Sequence, residues 1–297
     1  MDLDLRKLRY FIAVAEELHF ARAAERLHIA QPALSRQIRS LEDDLGVEVF
    51  DRDRRGTRLT PAGHQLLEDG RLLLASSQAL QRRARNAAHD VAVLTVGFMP
   101  GITLTAATTA FAARHPDVQV RLLRTDWTNQ VEVIQDGRAD VSIVRLPVET
   151  EGLSLRPLFN EPRVALLPVR HPLAQRASLR IQDLADDQLL QDPQAVPEWR
   201  QAPHPPTTAA APFEPVHQVE EKLELVASGA GFCVLPLSTA TFYTRADVAV
   251  RPVEGLAANE VALAWTAARR SPLIAGFAEA AAATLGQGPS QTPTVSV

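Results

Sequence analysis

Phe20–Leu45, FARAAERLHIAQPALSRQIRSLEDDL, constrains this chain more than any other segment. Ala21–Leu27 puts Ala23, Ala24 and Leu27 on one face at helical spacing. His28–Ala30 is too short for a strand and too polar for a core, so it reads as a turn. Gln31-Pro32-Ala33 opens a second helix, with the proline in the first turn, where its missing N–H costs nothing. Ala33, Leu34, Ile38, Leu41 and Leu45 give that helix an apolar stripe. Its other face carries Gln31, Ser35, Arg36, Arg39 and Ser40, residue types that donate to base edges and phosphates. The segment reads as a helix-turn-helix whose second helix is built to enter a DNA groove.

Helix pairs with a tight turn also occur in all-α domains that never touch nucleic acid, so the next residues matter. Val47–Phe50 and Arg58–Thr60 read as two short strands around the loop Asp51–Thr57, DRDRRGT. That loop holds Arg52, Arg54 and Arg55, with Arg58 directly after it. An arginine loop behind a recognition helix is what a winged helix uses to reach phosphates or the narrow minor groove. Thr60-Pro61 then starts a long helix, with Thr60 as cap and Pro61 in the first position. It is expected to run to about residue 90, roughly 40 Å at 1.5 Å per residue. Leu66, Leu73, Leu80 and Ala87 recur every seven residues, with Gly70, Ser77 and Ala84 between them, as in a narrow coiled-coil seam.

Charge gives an independent reason to expect dimers. The chain carries a formal net charge of −4, but residues 1–90 hold 15 Lys/Arg against 14 Asp/Glu, a net of +1. The remainder is at −5. Without a broad basic surface, one copy neutralises few phosphates, and two copies on one duplex double those contacts.

Three stretches carry a family resemblance: Leu8-Arg9-Tyr10-Phe11, then AAERLHIAQPALSRQIRSLEDDLGVEVFDR, then RLTPAGHQLL. From Asp4 to about Arg85 the chain resembles the LysR-type transcriptional regulators almost without gaps. The segments DVQVRLLR, DGRADVSIVR, LVASGAGFCVLP and HPLA extend the likeness more weakly to about residue 285. The resemblance implies a winged helix-turn-helix over 1–60, a dimerising linker helix over 61–90 and a two-lobed α/β effector domain over 91–285. That domain is similar to periplasmic binding proteins, with lobe I at about 91–163 and 266–285 and lobe II at about 164–265. It further implies double-stranded promoter DNA, a small-molecule effector and RNA polymerase as partners, and a homodimer or homotetramer. Gln31, Pro32, Ser35 and Arg36 are the expected base contacts. Arg39 and Ser40 are the expected phosphate anchors, with Arg52, Arg54 and Arg55 in the wing.

From Val91 the residues themselves indicate α/β structure. Ala92–Phe98, Val118–Leu123 and Asp140–Val144 read as strands, with helices over Leu104–Arg114 and Thr128–Asp136 between them. Alternation of this kind indicates a parallel, doubly wound sheet. A second unit follows Arg163, with Val164–Val169 and Phe232–Pro236 as strands and Lys222–Ser228 as a helix. Ligands in open α/β sheets bind at the carboxyl ends of the strands. The first strand leads through Pro100, Gly101 and Thr103 into a helix start, a setting that favours an anion such as a carboxylate. The second ends at Thr125-Asp126-Trp127-Thr128, supplying hydroxyls and an aromatic wall. The third ends at Arg145-Leu146, where the arginine either pairs with an effector carboxylate or is a surface residue. The resemblance places these three ends in the effector pocket, although the family more often has a small residue at the position of Arg145.

Asp192–Pro215 holds seven prolines and is either a lid, with Trp199 closing over an effector, or a simple insertion. Helix Pro272–Leu285 is expected to return to lobe I, and Gly286–Val297 to be a disordered tail. Catalysis finds no footing: the sequence has no Gly-rich phosphate loop, no HExxH or CxxC pair and no GxSxG turn. No metal or cofactor is expected. Cys233 lies in the apolar run GFCVL and reads as core filler. With no signal peptide and no apolar run of about eighteen residues, the chain is expected in the cytoplasm and off the membrane.

Overall fold

The computed structural model describes residues 3–53, 56–87, 92–203 and 216–286. The chain divides into two compact units, one of Met1–Asp90 with Gln135–Arg138 and the other of Val91–Ile134 with Ala139–Val297.

In the first unit, helices α1 (Leu5–Glu17), α2 (Phe20–Arg26) and α3 (Gln31–Leu45) precede a hairpin of β1 (Phe50–Asp53) and β2 (Gly56–Leu59). The long helix α4 (Pro61–Ala87) follows. Helix α1 had no counterpart in the sequence reading, although Leu8, Phe11, Ile12 and Ala15 recur on one face and Asp4 caps it by accepting from the Arg6 N–H at 2.7 Å. The three helices and the hairpin share one core in which Leu8, Phe11, Ala23, Leu34, Ile38, Leu41 and Val49 are fully buried. Each of the larger side chains contributes about 1.5–3 kcal/mol there. Phe50 locks the hairpin to the helices, its ring 5.3 Å from Phe11 and 5.7 Å from Phe20. The strands sit further into the wing than the expected Val47–Phe50 and Arg58–Thr60, because Phe50 pairs with Leu59 and the ladder continues to Asp53–Gly56. Thr60 caps α4 by accepting from the Gly63 N–H at 3.0 Å.

Gly70 is not part of the seam on α4. A Cβ there would lie 2.8 Å from the Leu8 side chain, so this glycine lets α1 and α4 approach closely. Leu66, Leu67 and Leu74 pack on the same core. Leu73 and Leu80 remain 44% and 62% exposed.

The second unit has two lobes. Lobe I contains β3 (Ala92–Phe98), α5 (Thr105–Arg114), β4 (Val118–Arg124), α6 (Glu132–Gln135), β5 (Val141–Arg145) and β6 (Leu153–Glu161). Lobe II contains β7 (Arg163–Pro168), β8 (Leu179–Arg180), α7 (Pro197–Arg200), α8 (Val219–Ser228), β9 (Cys233–Pro236), α9 (Leu237–Phe242) and β10 (Val248–Glu254). The chain then returns to lobe I through β11 (Asn259–Thr266) and ends its described part with α10 (Pro272–Leu285). The sheet orders are β4-β3-β5-β11-β6 and β8-β10-β7-β9.

Two expectations are corrected here. Strand β11 pairs antiparallel with β5 and β6, so Asn259–Thr266 belong to lobe I and not to lobe II. The sheets are mixed: β4, β3 and β5 run parallel, whereas β7 runs antiparallel to both β9 and β10. Strand β6 carries the chain out of lobe I and β11 brings it back, and strands that leave and return side by side must run in opposite directions. Strand β8 runs parallel to β10 at the edge of the second sheet.

Lobe I is centred on Leu94, Val96, Phe111, Ile143, Leu263 and Phe277, with α10 packed on α5 through a Phe111–Phe277 edge contact at 5.6 Å. In lobe II, β7 is buried on both faces: Val164 and Leu166 meet α8, while Ala165 and Leu167 meet Leu184 and Phe232. His204–Pro215 of the proline-rich segment, and the tail beyond Gly286, lie outside the described residues.

Candidate functional site

Helix α3 is divided cleanly. Leu34, Ile38 and Leu41 are fully buried, whereas Gln31, Pro32, Arg36 and Arg39 are exposed and Ser35 is half-buried between them. The turn before it is set by His28, whose φ of 54° is unusual for a residue with a side chain. Ala30 caps α3 without a side-chain hydrogen bond. Ser40 sits on the flank facing α1, where its hydroxyl accepts from the Lys7 ammonium at 2.7 Å while Lys7 also pairs with Asp44. Arg52 lies in β1 opposite Thr57, and Arg58 is paired with Asp51 at 3.1 Å. Arg54 and Arg55 lie outside the described residues.

The second site is a cavity of about 470 Å³ in the effector unit, lined by residues of both lobes. Of the residues expected there, Trp127, Thr128, Arg145 and Leu146 line it. Pro100 and Gly101 do not, because α9 presses on them. A Cβ at Gly101, whose φ is +80°, would lie 2.5 Å from the Thr239 backbone. Thr103 is exposed and precedes α5, which starts at Thr105. Thr125 is buried beside Gly97, with a Cβ position there only 3.3 Å from its methyl group. Trp199 belongs to the core of lobe II: its indole N–H donates to the Leu184 carbonyl at 3.0 Å and its ring meets Phe232 edge-on at 6.3 Å. Its expected place as a lid is therefore corrected to an internal anchor.

Arg145 is likewise not a surface residue. Its side chain is 1% exposed and its Nε donates to Glu161 at 2.8 Å, while Nη2 donates to Pro100 O, Ser238 Oγ and Thr239 Oγ1. Glu161 supplies the protein's own carboxylate to it, while its buried Nη1 has no hydrogen-bond partner among the described residues. One guanidinium thereby ties β5 and the β3 loop of lobe I to α9 of lobe II. Burial lowers its pKa and Glu161 opposes that shift; a guanidinium stays charged regardless. Arg124 makes a second link between the lobes, donating to Glu220 at 3.0 Å and to the Tyr243 hydroxyl at 3.2 Å. Gln218 makes a third, donating to Asp126 at 3.0 Å. Asp126 also accepts from Thr128, and although burial opposes it, these hydrogen bonds hold its pKa below the ordinary value.

Lys222, on α8, was overlooked as a site residue. It lines the cavity, is only 6% exposed, and places its ammonium 5.1 Å from the Trp127 ring centre. Its signal in the sequence is scarcity, since Lys7 and Lys222 are the only lysines in 297 residues. Among the described residues no group of His, Cys, Asp and Glu side chains could hold a metal ion, and no helix is long and apolar enough to cross a membrane.

A helix with an exposed polar face on a winged unit, carried by the same chain as a two-lobed domain with a cavity between its lobes, is the build of a ligand-responsive DNA-binding regulator. Residues 5–64 match the family model of the bacterial regulatory helix-turn-helix protein, lysR family, and residues 87–286 match that of the LysR substrate binding domain. The chain belongs to the LysR family of transcriptional regulators. It is 31% identical to the regulator AlsR of Bacillus subtilis over 93% of this chain and 94% of that one. It is 41% identical to the hca operon activator HcaR of Escherichia coli, over 60% of this chain and 61% of HcaR. Among solved structures it resembles CbnR, with a TM-score of 0.67 and 26% identity, covering 95% of this chain and 99% of CbnR. Full-length CbnR complexed with its target DNA gives 0.65 and 26%, covering 95% and 100%.

Proposed function

We propose that the chain binds promoter DNA as a homodimer or homotetramer, reads an inverted repeat through two copies of α3, and responds to a small anionic effector held between its lobes. The division of α3 carries this reading. Leu34, Ile38 and Leu41 of its apolar stripe are consumed by the core, which leaves Gln31, Pro32, Ser35 and Arg36 to meet base edges. Arg39, Ser40 and the wing residues Arg52, Arg54 and Arg55 serve the phosphates. Exposed Leu73 and Leu80 on α4 support pairing of two copies. The similarity to CbnR, solved with its target DNA, supports the same mode of binding.

In this reading the effector biases the lobes towards a closed arrangement, shifts how subunits sit on DNA, and so alters recruitment of RNA polymerase. The cleft binds and does not catalyse, and the protein works in the cytoplasm, where its DNA is. Selection of bound duplexes from a random pool at near-physiological salt tests the proposal. Enrichment of an inverted repeat with half-sites about one helical turn apart is the expected result. Recovery without sequence preference, or no recovery at low salt, overturns it.

A further inference from the structure

Of the three cations lining the cleft, two are each held by a carboxylate of the protein, and the remaining carboxylate of the lining, Asp192, accepts from the Gln194 N–H. Arg145 is neutralised by Glu161, and Arg163 by Glu198. Lys222 has no such partner: among the described residues nothing hydrogen-bonds its ammonium, although it is 6% exposed. Asp126 acts on it electrostatically but is engaged by Thr128 and Gln218. Burying a charge without a hydrogen-bonded partner is costly, and natural chains keep such a group where something else completes it. Burial pushes the Lys222 pKa below its ordinary value, as an uncompensated ammonium requires.

We propose that Lys222 is the seat of a carboxylate on the effector, with Trp127 as the wall beside it and an apolar body lying along Leu146, Pro147, Leu235 and Pro236. This rests on the cleft being the effector site. An organic acid supplies both the missing counter-charge and the apolar surface that these side chains would cover. Helix α8 carries Lys222 together with Glu220, and Gln218 precedes it, so the residue that meets the ligand shares a helix end with two of the links between lobes.

Calorimetric titration of the full-length chain with matched acids and amides tests this: hexanoate against hexanamide, and phenylacetate against phenylacetamide. The wild type should bind each acid at least about tenfold more tightly than its amide, a difference of about 1.4 kcal/mol. Lys222→Met should bring the two within about twofold while Lys222→Arg keeps a preference, since arginine retains the positive charge that methionine lacks. Lys222→Gln is read in the same way should Lys222→Met fail to fold. Equal affinities in the wild type, or binding of neither probe, overturn the proposal. An acid preference that persists in Lys222→Met but is lost when Ala258→Trp fills the cavity overturns the role of Lys222 and leaves the cleft standing. Binding that survives Ala258→Trp overturns the cleft itself.

Discussion

Arg36 and Arg145 show how differently two arginines of one chain act. Arg36 is exposed on α3, and Arg36→Ala should cost about 1–3 kcal/mol at one base-pair position while relaxing selectivity there. Binding titrations against single-position operator variants check this; a uniform loss at all positions would mark a phosphate contact. Arg145 is sealed in its pair with Glu161. Arg145→Met strands a fully buried carboxylate and should destabilise the effector unit by about 3–5 kcal/mol in urea unfolding. Adding Glu161→Gln should restore most of that loss. Cys233 is the third case, its thiol pushed up to about 12 by burial. Because the folded value exceeds the ordinary 9.0, the thiol contributes stability fully present below pH 9 and lost as the pH rises towards 12. The native thiol should therefore resist alkylation near pH 8 and react only after unfolding, as mass spectrometry would show.

Elements were more legible in the sequence than residues, for a physical reason. Helix α3 and the capped start of α4 follow from local signals, namely a proline in the first turn, a threonine cap and apolar spacing, and the structure places them where those signals lie. The expected effector residues depend instead on which neighbour arrives from far along the chain. Gly101 is covered because α9 lands on it, and Arg145 is drawn into an internal ion pair because Glu161 faces it across sixteen positions. No periodicity reports such pairings. The missing β11 has the same origin, since a strand's sheet is decided by its partners and not by its own pattern. On α4, Leu73 and Leu80 are exposed, and under the proposed function they meet a second copy. Leu80→Lys should shift the chain towards monomer in sedimentation analysis and weaken operator binding with it, as the phosphate contacts of one copy are lost.

For the molecule as a whole, the links between lobes are of two kinds. Arg145 is buried, whereas the Arg124–Glu220 pair is about half exposed on both sides and therefore contributes little to static stability. The double variant Arg124→Ala/Gln218→Ala should leave unfolding within about 1 kcal/mol of the wild type. Its effect belongs to dynamics: hydrogen exchange at the start of α8 should quicken, and unchanged exchange would mean that these links do not hold the lobes together.

The chain passes between the lobes twice, at Pro162 and again between Glu254 and Asn259, and Arg163 joins the two passages by donating to the Ala257 carbonyl at 2.7 Å. A door hung on two hinges swings but does not swivel. Under the proposed function, each effector would then be described by the single angle at which it holds the lobes ajar. Acids of increasing bulk would fall in order along that one scale, and an inhibitor would be an acid that fits the seat but props the door too wide.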